Sequence, residues 1–349
     1  MKVGFVIYGS LDTLSGGYLY DRKLVEYLRG QGDSIEILSL PWRNYAAHLM
    51  DNLTFELPKN LDILIQDELN HPSLIFANRQ THGYPIVSLV HHLRCSELRQ
   101  TWQNTFYRWI EKKYLQAVDG FIFNSKTTEK VVSGIIENGK PSIVAYPPTD
   151  RFGEPLFENE IIERAKQQKL RILFLGNVIY RKGLHTLLKA IRTQSSAVHV
   201  DVVGSLDSEP AYVRRMQEII AKHRLSSAVL LHGSLDKEPL IEKLKQAHVL
   251  AVPSSYEGFG IVYLEGMGFG LPAIGTTAGA ASEVIEHGKT GYLIAPDDSE
   301  ALAKHLRSLA EDRGLLTRLS LNAREQYLRQ PSWKETAKSL RAFLTSFIK

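Results

Sequence analysis

The sequence predicts an α/β protein with two doubly wound domains, each built on a mostly parallel sheet. Short apolar runs alternate with helix-length segments from Val3 to Tyr146, and the alternation starts again at Leu170. Runs such as VGFVIY carry no regular polar alternation, which is typical of parallel strands buried on both faces. A chain of 349 residues is also long enough for two domains of ordinary size. We therefore expect domains at 1–150 and 151–330, followed by a C-terminal helical segment at 331–349.

Composition and charge narrow the class of ligand. The content of 44% hydrophobic and 23% charged residues is that of a globular protein in water. A formal net charge of +4 favours small anionic ligands or an anionic surface, and it is too small for a nucleic-acid binder. Cys95 is the single cysteine, which excludes an internal disulfide and a multi-cysteine metal site.

We expect neither a signal peptide nor a membrane-spanning segment. The chain opens directly into a predicted strand without a signal-peptide pattern, and no apolar run approaches the ~20 residues needed to span a bilayer. We expect a cytoplasmic protein, in which any membrane contact is peripheral and at the inner face of the membrane.

The first domain opens with a strand, a glycine-containing loop and a helix. The strand is expected at Val3–Tyr8 and the helix at about Tyr18–Arg29, so Gly16 and Gly17 lie at the helix start. This is the carboxyl end of the first strand, where open α/β sheets bind ligands. An ordinary flexible loop is an equal alternative for the two glycines. The fingerprint G-x-G-x-x-G is missing, which argues against a nicotinamide cofactor.

The first domain is expected to hold about six strands, and two histidines follow the fourth. Adjacent side chains such as His91 and His92 cannot face one point from a strand, so they do not form a metal pair, and no H-E-x-x-H motif is present. His91 is either a core histidine or a residue facing a ligand. The remaining strands are expected at Ile35–Leu40, Leu61–Gln66, Ile86–Val90, Gly120–Phe123 and Ile143–Tyr146.

A predicted helix at Ser96–Val118 interleaves aromatic and basic residues. Such a pattern can mark a surface that approaches anionic lipid. The alternative, which we favour, is a helix that packs its aromatic rings inward and leaves its charges in water. The residues concerned are Arg99, Trp102, Phe106, Arg108, Trp109, Lys112, Lys113 and Tyr114.

After a proline-containing hinge at 146–150, the second domain begins with a strand at Leu170–Leu175. A loop from Gly176 to Gly183 follows and carries Arg181 and Lys182 at a helix start. Two adjacent cations in this setting are well placed to bind a diphosphate, since guanidinium binds bidentately and ammonium acts as a point charge. Plain surface charge is the alternative.

The stretch from Pro253 to Glu283 organises the second domain. Its turn Glu257-Gly258-Phe259-Gly260 lies between a strand at 247–252 and a helix at 261–269. Glycine allows a ligand to approach the backbone there, and Glu265 lies about two helical turns beyond Glu257 on the same face. Two carboxylates above a glycine turn indicate a polyhydroxylated ligand. The alternative is that Glu257 only complements the helix dipole and Glu265 is solvated.

This stretch resembles the donor-site motif of the retaining glycosyltransferases of family 4, which have the GT-B fold. The matching features are Ser254-Ser255-Tyr256, the E-G-F-G turn, Glu265 after seven intervening residues, Gly270-Leu271-Pro272 and an acidic residue at Glu283. The resemblance implies two Rossmann-like domains that face each other across a cleft, with the C-terminal helix crossing back to the first domain.

The resemblance also assigns roles to individual residues. His91 and Glu257 would orient the donor sugar, Lys182 would bind the diphosphate, and Glu265 would hold the ribose hydroxyls. Asn177 stands where the family has an arginine, and Arg181 is a candidate to replace it. Further donor contacts are expected from Gly16, Gly17, Gly204, His232, Gly233, Gly258, Phe259, Gly260 and Ile261.

The implied reaction moves a sugar from a UDP- or GDP-sugar to a hydroxyl of a glycan, lipid-linked or small-molecule acceptor, with retention. No D-x-D motif is present, so we expect neither a metal nor another cofactor: cationic side chains and helix N-termini would neutralise the leaving diphosphate. The alternatives are another reaction on nucleotide sugars, or a nucleotide-sugar-binding protein with weak catalysis.

Overall fold

The computed structural model describes residues 1–13, 15–137, 139–148 and 150–348. Leu14, Asn138, Thr149 and Lys349 lie outside the described residues, and Thr149 is one of the residues of the predicted hinge. The chain divides into two compact units. The first unit comprises Met1–Pro148 and Pro331–Lys349, and the second comprises Thr149–Gln330.

The first unit is built on a six-stranded parallel sheet in the order β2-β1-β3-β4-β5-β6. Its β1 pairs on both sides, with Val3 opposite Ile35 in β2 and opposite Ile63 in β3. Val3, Phe5 and Ile7 point to one core and Val6 and Tyr8 to the other, which explains the unbroken apolar run in the sequence. The strands are β1 Lys2–Tyr8, β2 Ser34–Leu40, β3 Ile63–Asp67, β4 Ile86–Val90, β5 Gly120–Phe123 and β6 Ser142–Val144.

Five helices in the described part of this unit connect the strands. The first begins at Ser15, whose Oγ accepts a hydrogen bond from the Tyr18 amide at 3.3 Å. Gly16 and Gly17 are therefore the first two helical residues and not part of the preceding loop. The helices are α1 Gly16–Gly30, α2 Tyr45–Asp51, α3 His71–Leu74, α4 Thr101–Leu115 and α5 Lys126–Ser133.

The favoured interpretation of the aromatic-basic helix is wrong for three of its rings. Trp102, Phe106 and Trp109 of α4 are 66%, 43% and 58% exposed. The inward face of α4 is formed instead by residues such as Ile110 and Tyr114, which contact the core beside β1. The helix is also shorter than predicted.

The second unit contains another six-stranded parallel sheet, in the order β12-β11-β10-β7-β8-β9. Its strands are β7 Leu170–Leu175, β8 Val198–Val203, β9 Val229–Gly233, β10 Val249–Ala251, β11 Ala273–Thr276 and β12 Gly291–Ile294. Its helices are α6 Glu158–Ala165, α7 Leu184–Ile191, α8 Pro210–Lys222, α9 Lys237–Gln246, α10 Ile261–Gly268, α11 Ala281–Val284, α12 Ser299–Glu311 and α13 Arg313–Leu328. The two parallel sheets confirm the predicted fold class.

The strand β9 ends in two residues from which a donor contact is predicted. His232 and Gly233 are its last two residues. The pairing continues because the register shifts between Val202 and Val203, so that Val203 lies opposite Gly233. The Gly204 amide then donates to the Gly233 carbonyl at 2.9 Å.

The last helix, α14 Trp333–Thr345, belongs to the first unit. Leu340 and Leu344 are fully buried in the core that α1 covers. Arg341 donates through Nε to Asp33 Oδ2 at 2.8 Å, and Oδ1 of Asp33 accepts from the N-terminal amine of Met1 at the same distance. The helix α14 is thus anchored by both apolar and ionic contacts. Among the described residues, no helix combines the length and apolar character needed to cross a membrane.

We expect Leu344→Ala to lower the free energy of unfolding by about 2–5 kcal/mol, because truncating a fully buried leucine leaves a cavity. Denaturant unfolding followed by circular dichroism measures the change. Lys338→Ala on the exposed face of α14 is the matched control, with an expected change within about 0.5 kcal/mol. Equal stability of Leu344→Ala and the control would contradict the packing described.

Candidate functional site

The second unit brings Arg181, Lys182 and Glu257 together. Lys182 Nζ lies 2.5 Å from Glu257 Oε1, and the Ser254 hydroxyl donates to the same oxygen at 2.6 Å. Arg181 Nη1 lies 3.9 Å from Glu257 Oε2 and donates to the Tyr256 carbonyl at 2.8 Å. We call Arg181, Lys182, Ser254 and Glu257 the basic cluster. Of the four residues predicted to be catalytic, which are His91, Arg181, Lys182 and Glu257, three are members of it.

The topology of the sheet explains where the basic cluster lies. The sheet has the order β12-β11-β10-β7-β8-β9. From β7 the chain adds β8 and β9 on one side, and then β10, β11 and β12 on the other, so the order reverses between β10 and β7. The loop with Arg181 and Lys182 follows β7, and the segment with Ser254 and Glu257 follows β10. Ligands of open α/β sheets bind at the carboxyl ends of the strands on either side of such a reversal. The basic cluster therefore lies at the expected ligand site of this unit.

Burial and opposite charge set the protonation of the cluster. Burial alone raises the pKa of Glu257, but the charges of Lys182 and Arg181 outweigh it and lower the pKa to about 2. Burial lowers the pKa of Lys182, and the carboxylate of Glu257 opposes that change. The side chain of Glu257 is only 7% exposed, whereas that of Arg181 is 26% exposed. Two cations and one carboxylate give the cluster a net positive charge that solvent can reach.

Close backbone contact fixes the two cations beside Glu257. Gly183 has φ of 75°, and a Cβ at this position would lie 2.1 Å from the Pro253 carbonyl oxygen. The Ser255 amide donates to the Arg181 carbonyl at 2.8 Å. Only glycine allows the two loops to approach this closely.

Asn177 and Gly204 lie at the neighbouring strand ends. A Cβ at Gly204, where φ is 148°, would lie 2.0 Å from the Gly176 carbonyl oxygen, so the two backbones abut. Asn177 Oδ1 accepts from the Ser205 amide at 3.3 Å. The Asn177 side chain thus ties these loops together, and its contact with a diphosphate stays a prediction.

The side chain of His232 belongs to a cluster of charged groups around Asp201. Its Nε2 lies 2.6 Å from Asp201 Oδ1, which also accepts from Lys243 Nζ at 2.9 Å. Burial raises the pKa of Asp201, but Lys243 and His232 overcome this and lower it to about 2. The imidazole is therefore engaged by Asp201, and the donor contact of His232 and Gly233 stays a prediction.

The E-G-F-G turn has the predicted position before a helix. Gly260, with φ of 87°, directly precedes α10, and Phe259 is buried while Gly258 and Ile261 are partly exposed. The backbone of Glu257 is fixed by the Ala280 amide, which donates to the Glu257 carbonyl at 2.8 Å.

Glu265 has a partner that the sequence analysis missed. Its side chain is 1% exposed, and its Oε1 accepts from Arg151 Nη1 at 2.8 Å. Burial raises the pKa of Glu265, and Arg151 partly opposes the rise. Glu265 is thus not a solvated helix residue. Arg151 lies in a short 3-10 turn, Asp150–Phe152, at the start of the unit, and no local motif links it to Glu265.

In the first unit, His91 pairs with a buried carboxylate. His91 Nε2 lies 3.0 Å from Asp21 Oδ1, and the Asp21 side chain is fully buried. A Cβ at Gly17 would lie 3.2 Å from His91 Cδ2, so the glycine pair at the start of α1 adjoins the imidazole. His92 instead lies 3.0 Å from Glu97 Oε1. The sequence did contain a signal for Asp21, because it falls on the buried stripe of α1 with Leu24 and Leu28.

The surroundings of His91 are acidic. Burial lowers the pKa of His91, but the charges of Asp21 and Asp67 outweigh burial and raise this pKa to about 9. The imidazole is therefore protonated at neutral pH. Burial and the charge of Asp21 raise the pKa of Asp67 to about 8. Among the described residues, two groups have ligand atoms close enough to hold a cation: Asp21, Asp67 and His91, and Glu68, His71 and Glu111. That the protein uses no metal stays a prediction.

Comparison with known proteins gives a family match over part of the chain. Residues 157–326 match the family model described as Glycosyl transferases group 1. The matched region lies in the second unit and includes the basic cluster. A glycogen synthase of Mycobacterium tuberculosis is 28% identical over 202 residues, which cover 54% of this chain and 49% of the relative. The chain spans about half the length of the curated relatives it matches.

Solved structures resemble the chain over nearly its whole length. Sucrose-phosphate synthase from Thermosynechococcus elongatus superposes with a TM-score of 0.83 at 19% identity, covering 99% of this chain and 98% of that one. The Anabaena protein HepE, solved with UDP and glucose, gives 0.76 at 18% identity, covering 99% and 100%. The fold is GT-B. Membership of family 4 and retention of anomeric configuration stay predictions.

We expect Asp21→Asn to lower the pKa of His91 from about 9, because the carboxylate that raises it most strongly is removed. Histidine titration by NMR measures this shift, and Glu26→Gln on the exposed side of α1 is the control.

The same pair predicts a pH-dependent stability. Because the folded-state pKa is raised, the pair stabilises the fold fully below pH 6.5 and loses its effect as the pH rises through about 9. Asp21→Asn should therefore cost about 1–3 kcal/mol at pH 6 and less at pH 10. An unchanged His91 pKa, or an equal cost at both pH values, would contradict the ion pair.

Proposed function

We propose that the protein is a retaining glycosyltransferase of family 4 that transfers a sugar from a UDP- or GDP-sugar to an acceptor hydroxyl on a glycan, lipid or small molecule. The observation that carries the proposal is the basic cluster: two cations held by a buried carboxylate at the ligand site of a GT-B unit. The match to Glycosyl transferases group 1 and the nucleotide sugar bound by the neighbour HepE, solved in complex with UDP-glucose, support it.

The proposed reaction places negative charge on the leaving diphosphate. The bond between the anomeric carbon and the diphosphate oxygen breaks, a bond to the acceptor oxygen forms, and the acceptor proton passes to a phosphate oxygen of the leaving group. The departing diphosphate gains negative charge, which Lys182 and Arg181 stabilise. Groups that are already oriented before the reaction stabilise such charge most effectively, and the contacts of Lys182 and Arg181 with Glu257 and Tyr256 provide that orientation.

Two carboxylates would bind hydroxyl groups in this proposal. Glu257 would accept hydrogen bonds from the sugar once the diphosphate competes for Lys182 and Arg181. Glu265 would accept hydrogen bonds both from Arg151 and from the ribose hydroxyls. In the first unit, His91 held by Asp21 is the proposed sugar-binding group. The protonated imidazole would donate its hydrogen bond to a sugar oxygen.

A second candidate is a nucleotide-sugar-binding protein with weak catalysis. The observation that favours it is Asn177, which stands at the position of a family arginine and whose side-chain oxygen is engaged by the Ser205 amide. The release of nucleotide from UDP- and GDP-sugars, measured with and without candidate acceptors, separates binding from turnover.

We expect Lys182→Ala to reduce turnover by about 10²-fold or more, because a preorganised donor to the leaving group is lost. Nucleotide release from the donor is the assay, and thermal unfolding checks that the variant is folded. Lys189→Ala, at an exposed position of α7, is the matched control. Full activity of folded Lys182→Ala would refute the assigned role.

We expect prolonged treatment with EDTA to leave turnover unchanged, since Arg181 and Lys182 supply the positive charge at the diphosphate. The rate of nucleotide release before and after treatment is the measurement. Loss of activity that Mg²⁺ or Mn²⁺ restores would show that the reaction depends on a metal.

A further inference from the structure

The exposed rings of α4 form one stripe. Trp102, Phe106 and Trp109 are spaced by four and three residues, which places them in a row on one side of the helix. All three are exposed, and the indole N–H of Trp102 is already satisfied by Gln100 Oε1 at 2.7 Å. The stripe therefore presents apolar ring surface rather than unsatisfied polar groups.

Further exposed apolar residues lie on the helices beside α4. The helices α2, α3 and α4 pack on the same core beside β1, and Tyr45 of α2 contacts the Phe106 ring at a centroid distance of 6.3 Å. Nearly half of the large apolar side chains that are exposed in the described part of the chain lie on these helices or directly after them. Three of them, Met50, Leu53 and Phe76, lie on or directly after α2 and α3, and we define the aromatic face as the α4 stripe of Trp102, Phe106 and Trp109.

The exposed charges of α4 itself are positive. Arg108 and Lys112 are exposed and Lys113 is partly exposed, all on α4. The single acid in the sequence of α4, Glu111, is fully buried and accepts from the Arg94 amide at 2.6 Å. The outer surface of α4 thus combines tryptophans with cations.

We propose that the aromatic face docks the protein on an anionic lipid bilayer. Tryptophan rings settle at the level of the lipid headgroups, and neighbouring cations are attracted to anionic lipids. Large apolar side chains exposed together on a protein surface indicate an interaction site, and the cations of α4 are complementary to a negatively charged surface. Docking goes beyond the proposed reaction and is independent of it.

Vesicle flotation tests the proposal with the full chain and without donor or acceptor. We expect binding to phosphatidylcholine vesicles that contain phosphatidylglycerol, and much weaker binding to pure phosphatidylcholine. Trp102→Ala/Trp109→Ala should reduce the partition coefficient at least tenfold. Lys112→Gln/Lys113→Gln should reduce it by roughly fivefold per cation on anionic vesicles, and added salt should have a similar effect.

The matched control is Phe157→Ala/Leu328→Ala, which removes two exposed apolar side chains of the second unit and should leave vesicle binding unchanged. Circular dichroism melting checks that each variant is folded. As a second readout, lipids with brominated acyl chains should quench the tryptophan fluorescence of the wild type and much less that of Trp102→Ala/Trp109→Ala.

Three results would overturn the proposal. The wild type does not float with anionic vesicles, the tryptophan variant floats as well as the wild type, or binding is equal on neutral and anionic vesicles. A dimer in analytical ultracentrifugation that Trp102→Ala/Trp109→Ala dissociates, without vesicle binding, would assign the aromatic face to protein association instead.

Discussion

The ion pair between Lys182 and Glu257 is the interaction on which the candidate site of the second unit depends. A buried carboxylate is strongly unfavourable unless its charge and its hydrogen-bonding capacity are both satisfied. Glu257 meets both needs, because Lys182 and Ser254 bond to the same oxygen and Arg181 approaches the other. Removing one partner would leave an uncompensated charge in the interior, so the residues of the basic cluster form one unit.

This ion pair also resolves an apparent conflict in the sequence. A glutamate at a glycine-containing turn before a helix is unfavourable for binding a phosphate directly, since like charges repel. In the structure Glu257 instead holds two cations in place, and the cluster keeps a net positive charge. Arg181 is the more exposed of the two cations, with 26% of its side chain exposed against 14% for Lys182.

Much of the fold follows from the sequence, because strands buried on both faces leave unbroken apolar runs. Ile86–Val90 and Leu170–Leu175 have the same bounds in sequence and structure. Arg181, Lys182 and Glu257 could also be predicted, since each is adjacent to a glycine turn that ends a strand. The pairs of Glu265 with Arg151 and of His91 with Asp21 could not be predicted, because no local period relates residues so far apart in the chain.

Hydrophobic periodicity alone did not identify which face of α4 is buried. The helix carries two apolar stripes, one with Ile110 and Tyr114 and the other with Trp102, Phe106 and Trp109. Hydrophobic spacing detects both stripes, but it does not say which one the sheet covers. The loops around the basic cluster are more predictable than the buried side of α4. At Gly183 and Gly204 the neighbouring backbone leaves no space for a side chain, so these two positions require glycine.

A crystal structure with a bound nucleoside diphosphate, UDP or GDP, tests the central claim most directly. The account predicts phosphate oxygens within hydrogen-bonding distance of Lys182 Nζ and the Arg181 guanidinium, with Glu257 still contacting at least one of these cations. A diphosphate bound elsewhere in the second unit, with the pairing of Lys182 and Glu257 undisturbed, would contradict it.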